Sequence, residues 1–251
     1  MTDYKHMLTH GVEISSSGTT GPAKVVHRTP DNLKACVEVA LDAQDISKKS
    51  KILTVTRMTH AGGLLTQTLP AYSIGAEFKV QQFNAFTFLK DFANYTHTFL
   101  APAQMYALMN TKGFADCDLT GKRILGGSDR VTWEMIEAFV SKGAIVQPNW
   151  GMSEIGPITI NAVFDSMESI QKVQEQSEYL IHRTPPSDFT ILGNNYYCDW
   201  KIVDGELHVK GPTCVHNDWF AKNDMIAIDV YYNMYYFGRK QDISVDKTLS
   251  Y

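Results

Sequence analysis

One stretch decides the fold. It begins Lys122-Arg123-Ile124-Leu125-Gly126-Gly127-Ser128, continues through a helical segment from Thr132 to Lys142, and ends Ala144-Ile145-Val146-Gln147-Pro148-Asn149-Trp150-Gly151-Met152-Ser153-Glu154. The first apolar run reads as a strand that stops in glycines. Thr132 suits a helix N-cap and Gly143 a helix stop. The second apolar run reads as another strand, running into Gly151.

Working back from Lys122, the same alternation continues. Lys51–Val55, Ala76–Val80 and Thr96–Leu100 read as strands. Between them, the turn Thr59-His60-Ala61-Gly62-Gly63-Leu64 opens a helix to about Tyr72, and Thr87–Phe92 and Pro102–Met109 read as helices. Strands alternating with helices from about residue 50 to 150 are the signature of an α/β domain on a mainly parallel sheet. Ligands of such sheets sit beyond the carboxyl ends of the strands. Two of those ends are unusual here: Gly126-Gly127-Ser128 and Asn149-Trp150-Gly151-Met152-Ser153-Glu154.

Upstream, Val12-Glu13-Ile14 and Val25-Val26-His27 read as a hairpin that presents Ser15-Ser16-Ser17-Gly18-Thr19-Thr20-Gly21-Pro22-Ala23-Lys24 at its tip. Glycines allow tight turns, successive N–H groups form anion-binding nests, and hydroxyls and a lysine add donors. That set suits a polyphosphate. It is not a Walker A loop, which needs glycine before the lysine and Ser or Thr after it; Ala23 and Val25 stand there. A flexible Ser/Gly linker is the competing reading. A helix follows, started by Thr29-Pro30-Asp31, with Leu33, Val37, Ala40 and Leu41 at helical spacing.

Beyond about Phe164 the pattern changes. Met167 to Ser177 reads as a polar helix or linker. Short β-like runs follow at 179–182, 189–192, 200–203, 206–210, 225–228 and 234–237, with Asp204-Gly205 a strong hairpin signal. The expected architecture is α/β, a mainly parallel sheet flanked by helices and followed by a small β-barrel-like or strongly twisted β unit. Its expected divisions are residues 1–165, 166–238 and a tail at 239–251.

Bulk composition narrows the function classes. The chain has 251 residues, 44% hydrophobic and 20% charged, with ordinary globular balance. A net charge of −4 gives no electrostatic case for nucleic acid. No run of 18 apolar residues offers a membrane span. The four cysteines, Cys36, Cys117, Cys198 and Cys214, form no CxxC pair, which argues against disulfide or metal frameworks and makes a reducing cytoplasm the default.

Taken in order, these stretches resemble one family, the adenylate-forming enzymes: acyl- and aryl-CoA synthetases, peptide-synthetase adenylation domains and luciferases. Ser16-Ser17-Gly18-Thr19-Thr20-Gly21 with Lys24 resembles the family's phosphate loop, with Pro22 shifted one place and Val25 in place of a glycine. Asn149 to Glu154 resembles its aromatic-G-x-T-E motif. His60 with Gly62-Gly63 resembles its histidine segment, and Gly126-Gly127-Ser128 its adenine-pocket strand end. The run from Gly205 to Pro212, then Trp219-Phe220, Asn223-Asp224 and Tyr236-Phe237-Gly238-Arg239, resembles the part carrying a ribose-binding aspartate and an arginine. Within the family, o-succinylbenzoate–CoA ligases look most similar.

The resemblance implies roles. Ser16, Ser17, Gly18, Thr19, Thr20 and Gly21 would embrace the β- and γ-phosphates of ATP. Gly126, Gly127, Ser128, Asn149, Trp150 and Gly151 would line the adenine pocket, Trp150 stacking and Asn149 reading the amino group. Ser153 would approach the α-phosphate. Asp224 would accept from the ribose hydroxyls, with Arg239 beside it. Glu154 would hold Mg²⁺, while Lys24, Glu154 and Arg239 would serve catalysis. His60, Gly127 and Met152 would border a small carboxylic acid. Singly, each has a plainer reading: Trp150 as a core aromatic, Asp224 as a turn residue, Glu154 as a solvated charge.

The resemblance also sets expectations about what is missing. Relatives carry a long segment before the loop and a small domain after the Gly–Arg turn, which holds a lysine used in adenylation. Here 14 residues precede Ser15 and 12 follow Arg239. A shortened member is expected, with CoA use open and the missing lysine replaced by Lys24 or by a second chain. Bared apolar sheet surface favours a homodimer. The expected activity is ATP-dependent activation of an acid as acyl-AMP. A nucleotide-binding module without turnover and a purely structural protein are the alternatives.

Overall fold

The computed structural model describes residues 2–15, 24–181 and 189–243. Asp3 caps α1 (Tyr4–His10), its carboxylate accepting from the His6 amide at 2.8 Å. The sequence reading held no helix here. β1 (Val12–Ser15) and β2 (Val25–Arg28) form the expected antiparallel hairpin, Val12 opposite Arg28 and Ser15 opposite Val25. Residues 16–23, which include the loop residues Ser16 to Gly21, lie outside the described residues. α2 (Pro30–Ala43) starts at Thr29, whose hydroxyl accepts from the Asn32 amide, and buries Leu33, Cys36, Val37 and Ala40.

Strand and helix then alternate as expected: β3 (Lys51–Thr54), α3 (Ala61–Gly63), a π-helical segment (Leu64–Thr68), α4 (Leu69–Ile74), β4 (Glu77–Val80), α5 (Phe88–Phe92), β5 (His97–Leu100), α6 (Pro102–Met109), α7 (Lys112–Ala115), β6 (Arg123–Gly126), α8 (Trp133–Val140) and β7 (Ile145–Met152). β8 (Gly156–Asn161) then turns back antiparallel on β7. Pattern reading misses β8 because every one of its residues is buried, so no alternation marks it. Met167–Gln176 is a helix, α9, capped by Ser166. It leads to β9 (Leu180–Ile181), β10 (Thr190–Gly193) and β11 (Asn195–Tyr196).

The larger sheet has the order β11-β8-β7-β6-β5-β3-β4. β4, β3, β5, β6 and β7 are parallel, and β8 and β11 form an antiparallel margin. The smaller sheet contains β12 (Asp199–Val203), β13 (Glu206–Lys210), β14 (Phe220–Asp229) and β15 (Met234–Arg239), in the order β10-β15-β14-β13-β12 with β9 beside β14. All its pairings are antiparallel. Asp204 (φ 52°) and Gly205 (φ 78°) make the tight β12–β13 turn, as that dipeptide predicts. A short helix, α10 (Lys240–Ile243), follows β15.

The Gly193-Asn194-Asn195 segment carries the chain from one sheet to the other. Gly193 (φ 150°) presses on the Asn161 backbone, where a Cβ would collide, and Asn195 pairs with Asn161. The apolar core is likewise shared across position 165. One cluster joins Leu53, Phe92, Ile124 and Val146 to Ile170, Val173, Ile191 and Tyr235. A second joins Trp150 and Ile160 of the larger sheet, with Ile155 of the β7–β8 turn, to Leu207, Val209, Ile226 and Met234 of the smaller one. Packing between the two sheets fixes how their charged residues face each other.

Candidate functional site

The carboxyl edge of the parallel sheet is where the singled-out glycines lie. Gly126 ends β6, and Ser128 just beyond it takes a left-handed conformation (φ 72°), uncommon for a residue with a side chain. Gly127 is needed for room: a Cβ there would lie 2.5 Å from Asn149 Nδ2. Asn149 Nδ2 donates to the Gly126 carbonyl at 2.6 Å. That fixes the amide, leaving its oxygen as an acceptor. Gly151 is tighter still, because a Cβ would run into the Gly156 carbonyl oxygen across the β7–β8 turn. Met152 is half-buried beside it, opposite Gly156.

Trp150 is only 9% exposed and belongs to the core between the sheets. Its indole Nε1 donates to Asp224 Oδ2 at 2.9 Å. Asp224 sits on β14 directly opposite Arg239 on β15, whose Nε lies 3.5 Å from Asp224 Oδ1. Three residues singled out from distant parts of the sequence therefore touch. Burial pushes the Asp224 carboxyl above its ordinary range, while the Trp150 hydrogen bond and Arg239 pull the other way.

A second knot holds Ser15 at the end of β1. The Ser15 carbonyl accepts from Ser153 Oγ at 3.2 Å and lies 2.9 Å from His60 Nδ1, and the Ser15 amide donates to the Thr59 carbonyl. His60 is the residue immediately before α3. Lys24 is exposed, just before β2. Beneath this knot lies Arg28, with 0% exposure. Its guanidinium donates to the Asn32 side chain, to Cys36 Sγ at 3.1 Å, to the Thr213 carbonyl at 2.9 Å and to the Ser153 carbonyl at 2.6 Å. Burial pulls the guanidinium below its usual value and pushes the Cys36 thiol up to about 11, so that thiol stays protonated.

Glu154 is 7% exposed and pairs with Lys222, Nζ to Oε1 at 2.6 Å. This arrangement opposes the Mg²⁺ role expected of Glu154. A dication about 4 Å from an ammonium is repelled by about 8 kcal/mol at an effective dielectric of 20. Among the described residues no group of three or more His, Cys, Asp or Glu side chains converges.

Sequence reading missed Lys222, Arg28, Glu206 and Lys240. Glu206 Oε1 accepts from the Asn223 amide at 2.8 Å, and Lys240 lies 3.7 Å from Glu206. The left-handed Asn223 (φ 62°) sits between Lys222 and Asp224. The only available signal was proximity: Lys222 is two positions from Asp224. Its partner Glu154 comes from the other sheet, which no local pattern shows.

Residues 14–217 match the family described as AMP-binding enzyme. The indoleacetate–CoA ligase of Aromatoleum aromaticum (strain DSM 19018 / LMG 30748 / EbN1) is 26% identical over 249 residues, covering 92% of this chain and 48% of that protein. Among solved structures, the adenylation domain of a keto acid-selecting NRPS module bound to a keto acyl adenylate superposes with TM-score 0.76 at 19% identity, covering 92% of this chain and 52% of that one. A double mutant of o-succinylbenzoate CoA synthetase from Bacillus subtilis gives TM-score 0.73 at 19% identity, covering 93% and 50%. The chain thus spans about half the length of the relatives it matches. No helix among the described residues is long and apolar enough to cross a membrane.

Proposed function

The chain belongs to the AMP-binding enzyme family, and on that premise we propose that it binds ATP and a small carboxylic acid and joins them as acyl-AMP, in the manner of an acid–CoA ligase. One observation carries the reading. Trp150, Asp224 and Arg239 converge from two sheets next to an Asn149 whose amide nitrogen is held by the Gly126 carbonyl. Asn149 Oδ1 accepts from the adenine amino group. Asp224, oriented by Trp150, accepts from the ribose hydroxyls. A carboxylate oxygen of the acid attacks the α-phosphorus, the bond to the β-phosphate breaks, and its electron pair leaves with pyrophosphate. Positioning and charge neutralisation by Lys24 and Arg239 lower the barrier, with no covalent enzyme intermediate. His60, Gly127 and Met152 border the acid.

The short Glu154–Lys222 pair favours a second reading, nucleotide binding without turnover, because it opposes a metal on that carboxylate. Acid-dependent ATP–pyrophosphate exchange decides between them. Exchange with some member of an acid panel, lost in Lys24→Ala, supports the ligase reading. Calorimetric AMP binding without exchange supports the second reading, and neither signal overturns both.

A further inference from the structure

We propose that Lys222 is the phosphate-binding cation of the nucleotide site, a built-in counter-charge standing where a metal was expected beside Glu154. The inference rests on the nucleotide reading above and adds a residue to it. Among the described residues three acids here lie beside a base: Glu154 with Lys222, Asp224 with Arg239, Glu206 with Lys240. A phosphate dianion arriving here needs a cation that can be shared. Lys222 meets that need. Its side chain is 31% exposed, against 10% for Glu154, so the lysine is the more accessible member of the pair.

An ammonium has three N–H donors. Among the described residues, that of Lys222 pairs with Glu154 Oε1 and lies 6.0 Å from the centroid of the Phe220 ring. Phe220 is itself stacked on His216 at 4.3 Å. The carboxylate takes one donor of the ammonium, which has others for a second anion. Asp224, placed for the ribose, is two residues away on the same strand. A 5′-phosphate extends from that ribose, within the reach of a lysine side chain from the neighbouring backbone.

The test is calorimetry on the whole chain with AMP and adenosine, in EDTA and in excess Mg²⁺. The wild type binds AMP about tenfold or more tighter than adenosine, as a charge-assisted hydrogen bond provides, and to the same extent in EDTA as in Mg²⁺. In Lys222→Met the AMP affinity falls to that of adenosine while adenosine affinity holds, and Lys222→Arg recovers most of the loss. AMP binding that survives Lys222→Met, or a phosphate preference that appears only with Mg²⁺, overturns the assignment and leaves the nucleotide reading standing. Loss of adenosine binding in a Lys222→Met protein that melts like the wild type makes Lys222 a shaper of the pocket and overturns the assignment too. A wild type that binds neither adenosine nor AMP overturns the nucleotide reading itself.

Discussion

At the carboxyl edge of the parallel sheet, the candidate site is made of backbone brought too close for side chains. Gly127 lies against Asn149 and Gly151 against the Gly156 carbonyl. On the antiparallel sheet it is made of charges, with Asp224 and Arg239 in register on neighbouring strands and Lys222 reaching Glu154. The first region gives shape and a fixed amide; the second gives field. A backbone-built surface tolerates little added volume and is indifferent to pH. A charge-built surface tolerates isosteric change but responds to protonation. Arg28 joins the two, holding the carbonyls of Ser153 and Thr213 from a position with no solvent contact.

Removing the joint has the largest effect. Arg28→Ala strands two buried carbonyls, each costing roughly 1–3 kcal/mol when unpaired, so urea denaturation reads a loss of roughly 2–6 kcal/mol. That is a large share of a typical domain's stability. A loss below about 1 kcal/mol would show that solvent replaces the guanidinium and that the two regions are not tied there.

The next contrast lies within the backbone-built region. Gly151→Ala forces backbone against backbone and loses roughly 1–3 kcal/mol of stability. Gly127→Ala meets chiefly the end of the Asn149 side chain, so stability changes by less than about 1 kcal/mol while AMP affinity drops about tenfold as Asn149 is displaced. Equal stability losses in the two variants would erase the distinction.

The smallest effect tests the charged region. Asp224 has a raised folded-state pKa, so its contribution to stability is complete below the ordinary 3.8 and is lost as pH rises through the raised value. Asp224→Asn keeps an acceptor for Trp150 and removes the buried charge. At neutral pH it raises the melting temperature by a few degrees while weakening AMP binding, and the thermal gain fades as pH falls toward 3.8. A gain constant across pH would point to packing instead.

Most of the parallel sheet was legible in the sequence, because its strands are continuous apolar runs and its helices carry caps such as Thr29 and Thr132. The motif residues at its edge were legible too, through glycines at strand ends. β8 was not, since complete burial removes periodicity, and α1 gave no apolar stripe strong enough to read. Of the candidate site, Asn149, Trp150, Asp224 and Arg239 were singled out, but their mutual contacts were not. The partners Lys222 and Arg28 escaped notice because each acts on residues far along the chain.

By itself, then, the sequence determined the alternation of strand and helix, the glycine-bearing turns and the order of the motifs, all of which depend on neighbours a few residues apart. Only the tertiary structure decided that Trp150 spends its N–H on Asp224, that Glu154 is already paired with an ammonium, and that a buried arginine pins the turn carrying Ser153. Those outcomes depend on how two sheets pack across one apolar core, and no local pattern in the chain encodes a charge's distance from its partner on the other sheet.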